Sequence, residues 1–347
     1  MARIAVITSG LPFGQGGHLV IVRSLVQALR EAGHAAEAVV TPQNRFGRQG
    51  AAYLATWLTD VGLGQDGGRV DQVITFRYPS YAVRHHPHVC WLNHRMREYY
   101  DLWDGFSASL RPAQRVKEQV RRRLIHAADR WLLTRNVDRL LAQSVTIQRR
   151  LERFGRIPAE VLYPPPPPRP YRCEGYGDYL FAVSRLTPLK RLDLLVRALA
   201  RPEAAGVKCV IAGDGEARDA LARLVHQLNV EDRVRLVGEV DSGQLVEHFA
   251  ACRAVCFPAR DEDYGFVTVE AFASRKAVVT CTDSGGPAEL VRDGVEGFVT
   301  APTPEALAPA LARLAADEPL ACRMGEAGLQ AVSSMTWDRA IQRLVMV

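Results

Sequence analysis

Short runs of Val, Ile and Leu alternate along this chain with stretches whose apolar residues recur every three or four positions. Arg3 to Ile7 leads into His18 to Glu31, and Val207 to Ala212 leads into Ala217 to Leu228. The first kind of run reads as a strand buried on both faces and the second as an amphipathic helix packed against it, so their alternation predicts parallel sheets. In the second half, strands are expected at 179–183, 207–211, 233–237, 254–257, 277–281 and 297–299, with helices between them, giving one doubly wound α/β domain. Further helices are expected near 304–316 and 319–332, and a last one within Met335 to Leu344. The alternation is broken at Tyr163-Pro-Pro-Pro-Pro-Pro-Arg-Pro170, where fixed φ angles and missing donors favour an extended linker.

A chain of 347 residues suits two α/β domains of roughly 150 residues each. The expected organisation is an N-terminal Rossmann-like domain over 1–165, the Pro-rich linker 163–170 and a C-terminal Rossmann-like domain over 171–332. In sheets of this kind ligands sit beyond the carboxyl ends of the strands, so the loops after those strands should carry the chemistry.

Composition narrows the class. Hydrophobic residues make up 48% and charged residues 24%, and the longest apolar runs fall short of the roughly 20 residues that span a bilayer. The start MARIAVITSG reads as a buried strand entering a glycine loop rather than a signal peptide, so a cytoplasmic location is expected, with a peripheral place at the inner membrane face as an option. Seven scattered cysteines without a CxxC pair suggest neither a disulfide framework nor a zinc site. The net charge of +6 hides an asymmetry: residues 1–170 carry 24 Lys+Arg against 13 Asp+Glu, and residues 171–347 carry 20 against 25. A basic first half points to something anionic, whether a phospholipid surface, a lipid-phosphate acceptor or a nucleic acid. Within it, Arg111 to Leu133 places Val116, Val120, Leu124, Ala127 and Trp131 at helical spacing, with most of the cations off that stripe. Such a helix either rests on anionic lipid or packs its stripe inward and leaves a solvated basic face.

Candidate chemistry concentrates after the strand ending at Phe257, in PARDEDYGFVTVEAFAS, where Glu262 and Glu270 bracket seven residues. Tyr264-Gly265 reads as a tight turn feeding a helix from Phe266 and Val267, which places unpaired N–H groups and the positive helix end near a bound anion. Two carboxylates flanking that turn can accept hydrogen bonds from sugar or ribose hydroxyls. The segment resembles the retaining transferases called glycosyltransferase family 4, or group 1, whose second domain carries an EX7E element. The family's Glu-Gly-Phe-Gly reads here Glu262-Asp263-Tyr264-Gly265. The resemblance implies the GT-B fold, two Rossmann-like domains with parallel sheets facing across a cleft, with the final helix, about 333–347, crossing back to the first domain. It also implies that Glu262 contacts the transferred sugar and Glu270 the nucleotide ribose.

Other landmarks of that family follow in order. Ser184 to Arg191 reads SRLTPLKR, in which Arg185 and Lys190 would neutralise the charge that develops on a departing nucleoside diphosphate, leaving no role that requires a metal. Gly213 in IAGDGE resembles the family's strand-to-helix glycine turn, and Gly238 in VRLVGEV the strand and loop near the base. Ser284 to Phe298 reads SGGPAELVRDGVEGF, which matches the family signature almost letter for letter. In the first half, Gly14-Gln-Gly16-Gly17-His18 resembles the glycine loop that faces the donor, and His94 resembles a histidine beside the donor sugar. A dinucleotide fingerprint is not completed, because positions 19 and 218 hold Leu19 and Arg218. Asp261-Glu-Asp263 matches a DxD metal motif in letters only, since it lies inside the EX7E segment and the two cations already supply the neutralising charge.

The expected activity is sugar transfer from a UDP- or GDP-hexose to an acceptor hydroxyl with retention of configuration, in polysaccharide, glycolipid or other glycoconjugate synthesis. The same architecture also serves sugar-nucleotide epimerases and hydrolases. A basic nucleic-acid binder is the reading from another class, and no reader motif or aromatic platform supports it. A nucleotide sugar is thus the expected partner, nucleic acid is not, and the acceptor is left open.

Overall fold

The computed structural model describes residues 1–11, 17–44 and 46–347. It contains two compact units, one comprising Met1–Pro164 with Thr336–Val347 and the other Pro165–Met335.

The first unit is built on a six-stranded sheet of order β2-β1-β3-β4-β5-β6, comprising β1 (Arg3–Gly10), β2 (Ala35–Pro42), β3 (Gln72–Arg77), β4 (His88–His94), β5 (Arg139–Ala142) and β6 (Glu160–Val161). Every pairing is parallel. β3 is buried at all six positions and β1 at all but its ends; the apolar run Ile4 to Ile7 marks β1 in the sequence, whereas β3 buries Gln72, Thr75 and Arg77 among its apolar residues. Its helices are α1 (Gly17–Glu31), α2 (Gln49–Leu58), α3 (Trp103–Ala108), α4 (Pro112–Trp131) and α5 (Val145–Gly155).

The second unit repeats the plan with order β12-β11-β10-β7-β8-β9, again parallel throughout. Its strands are β7 (Tyr179–Val183), β8 (Lys208–Ala212), β9 (Val234–Gly238), β10 (Ala254–Cys256), β11 (Ala277–Cys281) and β12 (Gly297–Thr300). They lie within a residue or so of the six positions expected from hydrophobic pattern. Helices α6 (Leu192–Leu199), α7 (Arg218–Gln227), α8 (Ser242–Ala251), α9 (Phe266–Ala273), α10 (Gly286–Leu290), α11 (Pro304–Ala316) and α12 (Glu318–Val332) complete it. The core joins Leu180, Leu195, Ile211 and Val279 to Leu311 and Met324 of the last two helices.

The closing helix, α13 (Trp337–Leu344), is grouped with the first unit. Thr336 caps it by accepting from the Arg339 amide at 3.3 Å, and Ala340, Ile341 and Leu344 form its buried stripe. Buried Gln72 fastens its end from both sides, donating to the Leu344 carbonyl at 2.7 Å and accepting from the Met346 amide at 2.8 Å. Trp337 meets Trp91 of β4 edge to face, with ring centroids 6.4 Å apart.

Helix α4 is oriented against the usual rule. Its buried residues are Glu118, Ile125 and Asp129, and its apolar stripe lies on the exposed side. The Asp129 carboxylate explains this, for it accepts hydrogen bonds from the phenols of Tyr53, Tyr81 (2.6 Å) and Tyr100 (2.7 Å). Burial first, and then the Asp129 charge, push all three phenols well above the ordinary tyrosine value, so they remain donors. Glu118 is held by the Tyr99 phenol at 2.7 Å and by Arg121 at 2.5 Å.

Candidate functional site

In the second unit the chain reverses direction along the sheet between β7 and β10, so the crevice beyond their carboxyl ends is the topological switch point where such sheets bind ligands. Three loops meet there and are tied together by backbone hydrogen bonds. The loop after β7 accepts from the loop after β10, the Arg260 amide donating to the Leu189 carbonyl at 2.7 Å. The loop after β10 is also paired with the loop after β11, through the Glu262 amide to the Ser284 carbonyl and the Gly286 amide to the Glu262 carbonyl, both at 2.9 Å. Arg191 fastens the same three loops through its guanidinium, which donates to the Pro258 carbonyl at 2.8 Å and to the two Asp283 oxygens at 2.9 and 2.6 Å.

On this scaffold Lys190 and Glu262 meet as an ion pair, each about a quarter exposed or less. The ammonium also lies 5.3 Å from the centre of the Phe257 ring, a favourable cation-π distance. Arg185, five residues earlier on the same loop, is exposed and makes no ion pair among the described residues. The edge thus presents one cation held in place and one directed to solvent, beside a carboxylate.

The glycines of the next loop have a structural task. At Gly213 φ is +126°, and a Cβ there would fall 1.9 Å from the Ser184 carbonyl oxygen, so only glycine lets the exit of β8 press against the residue preceding Arg185. Its amide donates to the Gly238 carbonyl at 2.6 Å and is therefore already satisfied. Gly213 shapes the edge by close approach, whereas Gly238 has room for a side chain and is set apart by its φ of +74°.

The turn expected at Tyr264-Gly265 is present and α9 starts at Phe266. Gly265 caps the helix with φ +85°, a conformation that costs a side-chain-bearing residue about 1 kcal/mol or more. Phe266 and Val267 occupy the first turn, whose N–H groups have no intrahelical acceptor. Tyr264 is buried, stacked edge to face on Phe266 at 5.2 Å with its hydroxyl 3.9 Å from the Met335 sulfur.

Glu270 is placed differently from Glu262. It is 5% exposed, and its Oε1 accepts from the Tyr171 phenol at 2.9 Å and from Arg169. Burial pushes the Tyr171 phenol up, which keeps it a donor. The two carboxylates of the EX7E element therefore have separate partners, and those of Glu270 come from the segment just after the polyproline run. Sequence reading passed over Arg169 and Tyr171. The available signal was a lone Arg set between Pro168 and Pro170, a position that fixes where its side chain departs.

The most distinctive string, Ser284 to Phe298, is largely a folding device. Ser284 Oγ accepts from the Cys281 amide at 3.1 Å. Buried Glu296 accepts from the Arg292 amide and guanidinium, both at 2.8 Å, and Asp293 accepts from the Val299 amide at 2.9 Å. Its contribution to the edge is Gly285-Gly286, against which Glu262 and Tyr264 rest.

In the first unit His94 is the last residue of β4, half-buried, with Nδ1 2.7 Å from the Arg95 carbonyl oxygen. It lines a cavity of about 20 Å³, room for one water, with Arg97, Asp101 and Arg150. Gly17 begins α1, and Gly16 lies outside the described residues.

Two doubly wound parallel units in one chain define the GT-B class of fold. Residues 174–331 match the model of the family described as glycosyl transferases group 1. The chain is 36% identical over 173 residues to a D-inositol 3-phosphate glycosyltransferase of Streptomyces griseus, covering 46% of this chain and 36% of the relative. It is 31% identical over 257 residues to the protein of that name from Kribbella flavida, covering 67% and 58%. The chain thus spans only part of the length of these relatives. A crystal structure of Anabaena HepE in complex with UDP and glucose superposes with a TM-score of 0.70 at 18% identity, over 98% of both chains, a likeness of fold.

Proposed function

We propose that the protein is a retaining glycosyltransferase that moves a hexose from a UDP- or GDP-sugar to an acceptor hydroxyl in polysaccharide, glycolipid or other glycoconjugate synthesis. The observation that carries this reading is the Lys190–Glu262 pair at the switch point, beside the exposed cation Arg185. An ion pair between partly exposed groups is weak, so an arriving diphosphate can draw Lys190 from Glu262, freeing the carboxylate for a sugar hydroxyl. The bond from the anomeric carbon to the diphosphate oxygen then breaks. Arg185 and Lys190 stabilise the charge left on that oxygen, the acceptor hydroxyl attacks from the same face, and its proton passes to the departing diphosphate. The two cations fill the role a divalent ion would otherwise take, so the reaction we propose needs no metal. UDP and glucose in HepE, and the name shared by the curated relatives, support a nucleotide sugar as donor. In this proposal Glu270 meets the nucleotide ribose, His94 lies by the donor sugar, and the basic first unit takes the acceptor at the inner membrane face.

The anomeric configuration tests the reading. With no acceptor present, slow transfer to water should release sugar whose first-formed anomer, followed by proton NMR within the mutarotation time, is that of the donor. First release of the opposite anomer would contradict a retaining transferase.

A further inference from the structure

The exposed side of α4 carries its apolar stripe. Val116, Val120, Leu124 and Trp131 are 67%, 52%, 66% and 51% exposed. At about 100° per residue these four and Ala127 fall within an arc of roughly 80°. Buried Glu118, Ile125 and Asp129 lie on the opposite side. Lys117 borders the apolar arc on one flank and Arg123 and Arg130 on the other, all exposed. The helix has two acidic residues, Glu118 and Asp129, and both are turned inward to tyrosine donors. Its outer side therefore offers a strip of hydrocarbon edged only by cations. Trp131 extends the strip towards α2, its ring 5.5 Å from that of Trp57, and Leu54 and Leu58 of α2 are likewise exposed.

We propose that this face is an interfacial membrane contact, in which α4 lies in the plane of an anionic bilayer with its apolar arc among the upper acyl chains and Lys117, Arg123 and Arg130 at the lipid phosphates. An arc of Val, Leu and Trp edged by Lys and Arg is what the boundary between acyl chains and headgroups accepts. A second copy of the chain is a poor occupant, because a symmetric pairing of this face sets the flanking cations against their own copies. The network around Asp129 gives the arrangement its purpose: three phenols pull the polar side of the helix inward and hold the apolar side out. Membrane docking rests on the proposed function only for its setting, the inner membrane face, and its test does not require sugar transfer.

The full-length protein is floated with vesicles of phosphatidylcholine alone and of phosphatidylcholine with phosphatidylglycerol. The unmutated chain should rise with the anionic vesicles and remain behind with the neutral ones, and binding should weaken as salt is raised. Val120→Glu and Leu124→Glu, at sites exposed enough to leave folding intact, should each lower the bound fraction about tenfold or more, and a Lys117→Gln/Arg123→Gln/Arg130→Gln variant should remove the preference for anionic lipid. Melting with nucleotide sugars, run on the same samples, reports the donor reading separately and should be unchanged in these variants. The proposal is overturned if the unmutated chain binds neither vesicle, or if Leu124→Glu binds as well as it does. It is equally overturned if the chain is a dimer in solution that Leu124→Glu makes monomeric, which would assign the face to a second copy.

Discussion

Lys190 and Arg185 occupy one loop but differ in surroundings, and the difference sets what each substitution does. The Arg185 side chain is exposed and makes no ion pair among the described residues, so Arg185→Ala should leave the melting temperature unchanged and lower kcat about a hundredfold or more, read in a donor-hydrolysis or transfer assay. Lys190→Ala removes both the cation and the partner of Glu262, and should lower kcat by at least as much while weakening donor binding. Arg169 behaves oppositely. Its loss leaves the buried Glu270 carboxylate without its cation and with the Tyr171 phenol as its remaining side-chain donor among the described residues, so Arg169→Ala should cost about 3 kcal/mol in urea unfolding. Glu270→Gln in the same chain should restore most of that loss, whereas an Arg169 acting only on substrate would show no such rescue. These partners were not legible from spacing: EX7E marks where the carboxylates stand, while the residues that meet them arrive from 72 and about 100 positions away.

At the scale of elements, two tertiary locks each contribute to stability. One joins β3 to β4, where buried His88 has Nε2 2.9 Å from Thr75 Oγ1 and Nδ1 2.9 Å from the Asn136 carbonyl oxygen. Burial holds the imidazole neutral and moves its pKa down to about 4. The unfolded chain takes up a proton near pH 6.5 and the folded chain only near 4, so this contribution is intact above about 6.5 and is lost as pH falls towards 4. Its full size is on the order of 3 kcal/mol. A His88→Asn chain should show a flatter dependence of melting temperature on pH over that window. The other lock is Gly213 against Ser184, and Gly213→Ala should destabilise the second unit by more than about 3 kcal/mol in thermal unfolding. The orientation of α4 belongs to this scale as well. Its apolar stripe and its cations were readable from helical spacing, but which side packs was not. That choice is made by Tyr53, Tyr81 and Tyr100, whose phenols reach Asp129 across 76, 48 and 29 residues.

For the molecule as a whole, the strands of the second unit and the alternation with helices were visible because parallel strands buried on both faces leave unbroken Val, Ile and Leu runs. In the first unit the signal is weaker: Gln72, Thr75 and Arg77 interrupt β3, and β6 has two residues, so neither leaves such a run. The loops at the switch point were visible through their glycines, though at Gly213 the glycine serves loop against loop. What binds at that edge is a property of the folded chain, and it is also the central claim. Its direct measurement is the thermal midpoint of the full-length protein across UDP-, GDP-, ADP- and TDP-sugars with EDTA present, beside an Arg185→Ala/Lys190→Ala chain. A donor at about 100 times its Kd stabilises the native state by roughly 2.7 kcal/mol, so one nucleotide series should raise the midpoint of the unmutated protein and leave that of the double variant nearly unmoved. No shift with any nucleotide sugar, or an equal shift in both chains, would contradict a donor site built on Arg185 and Lys190.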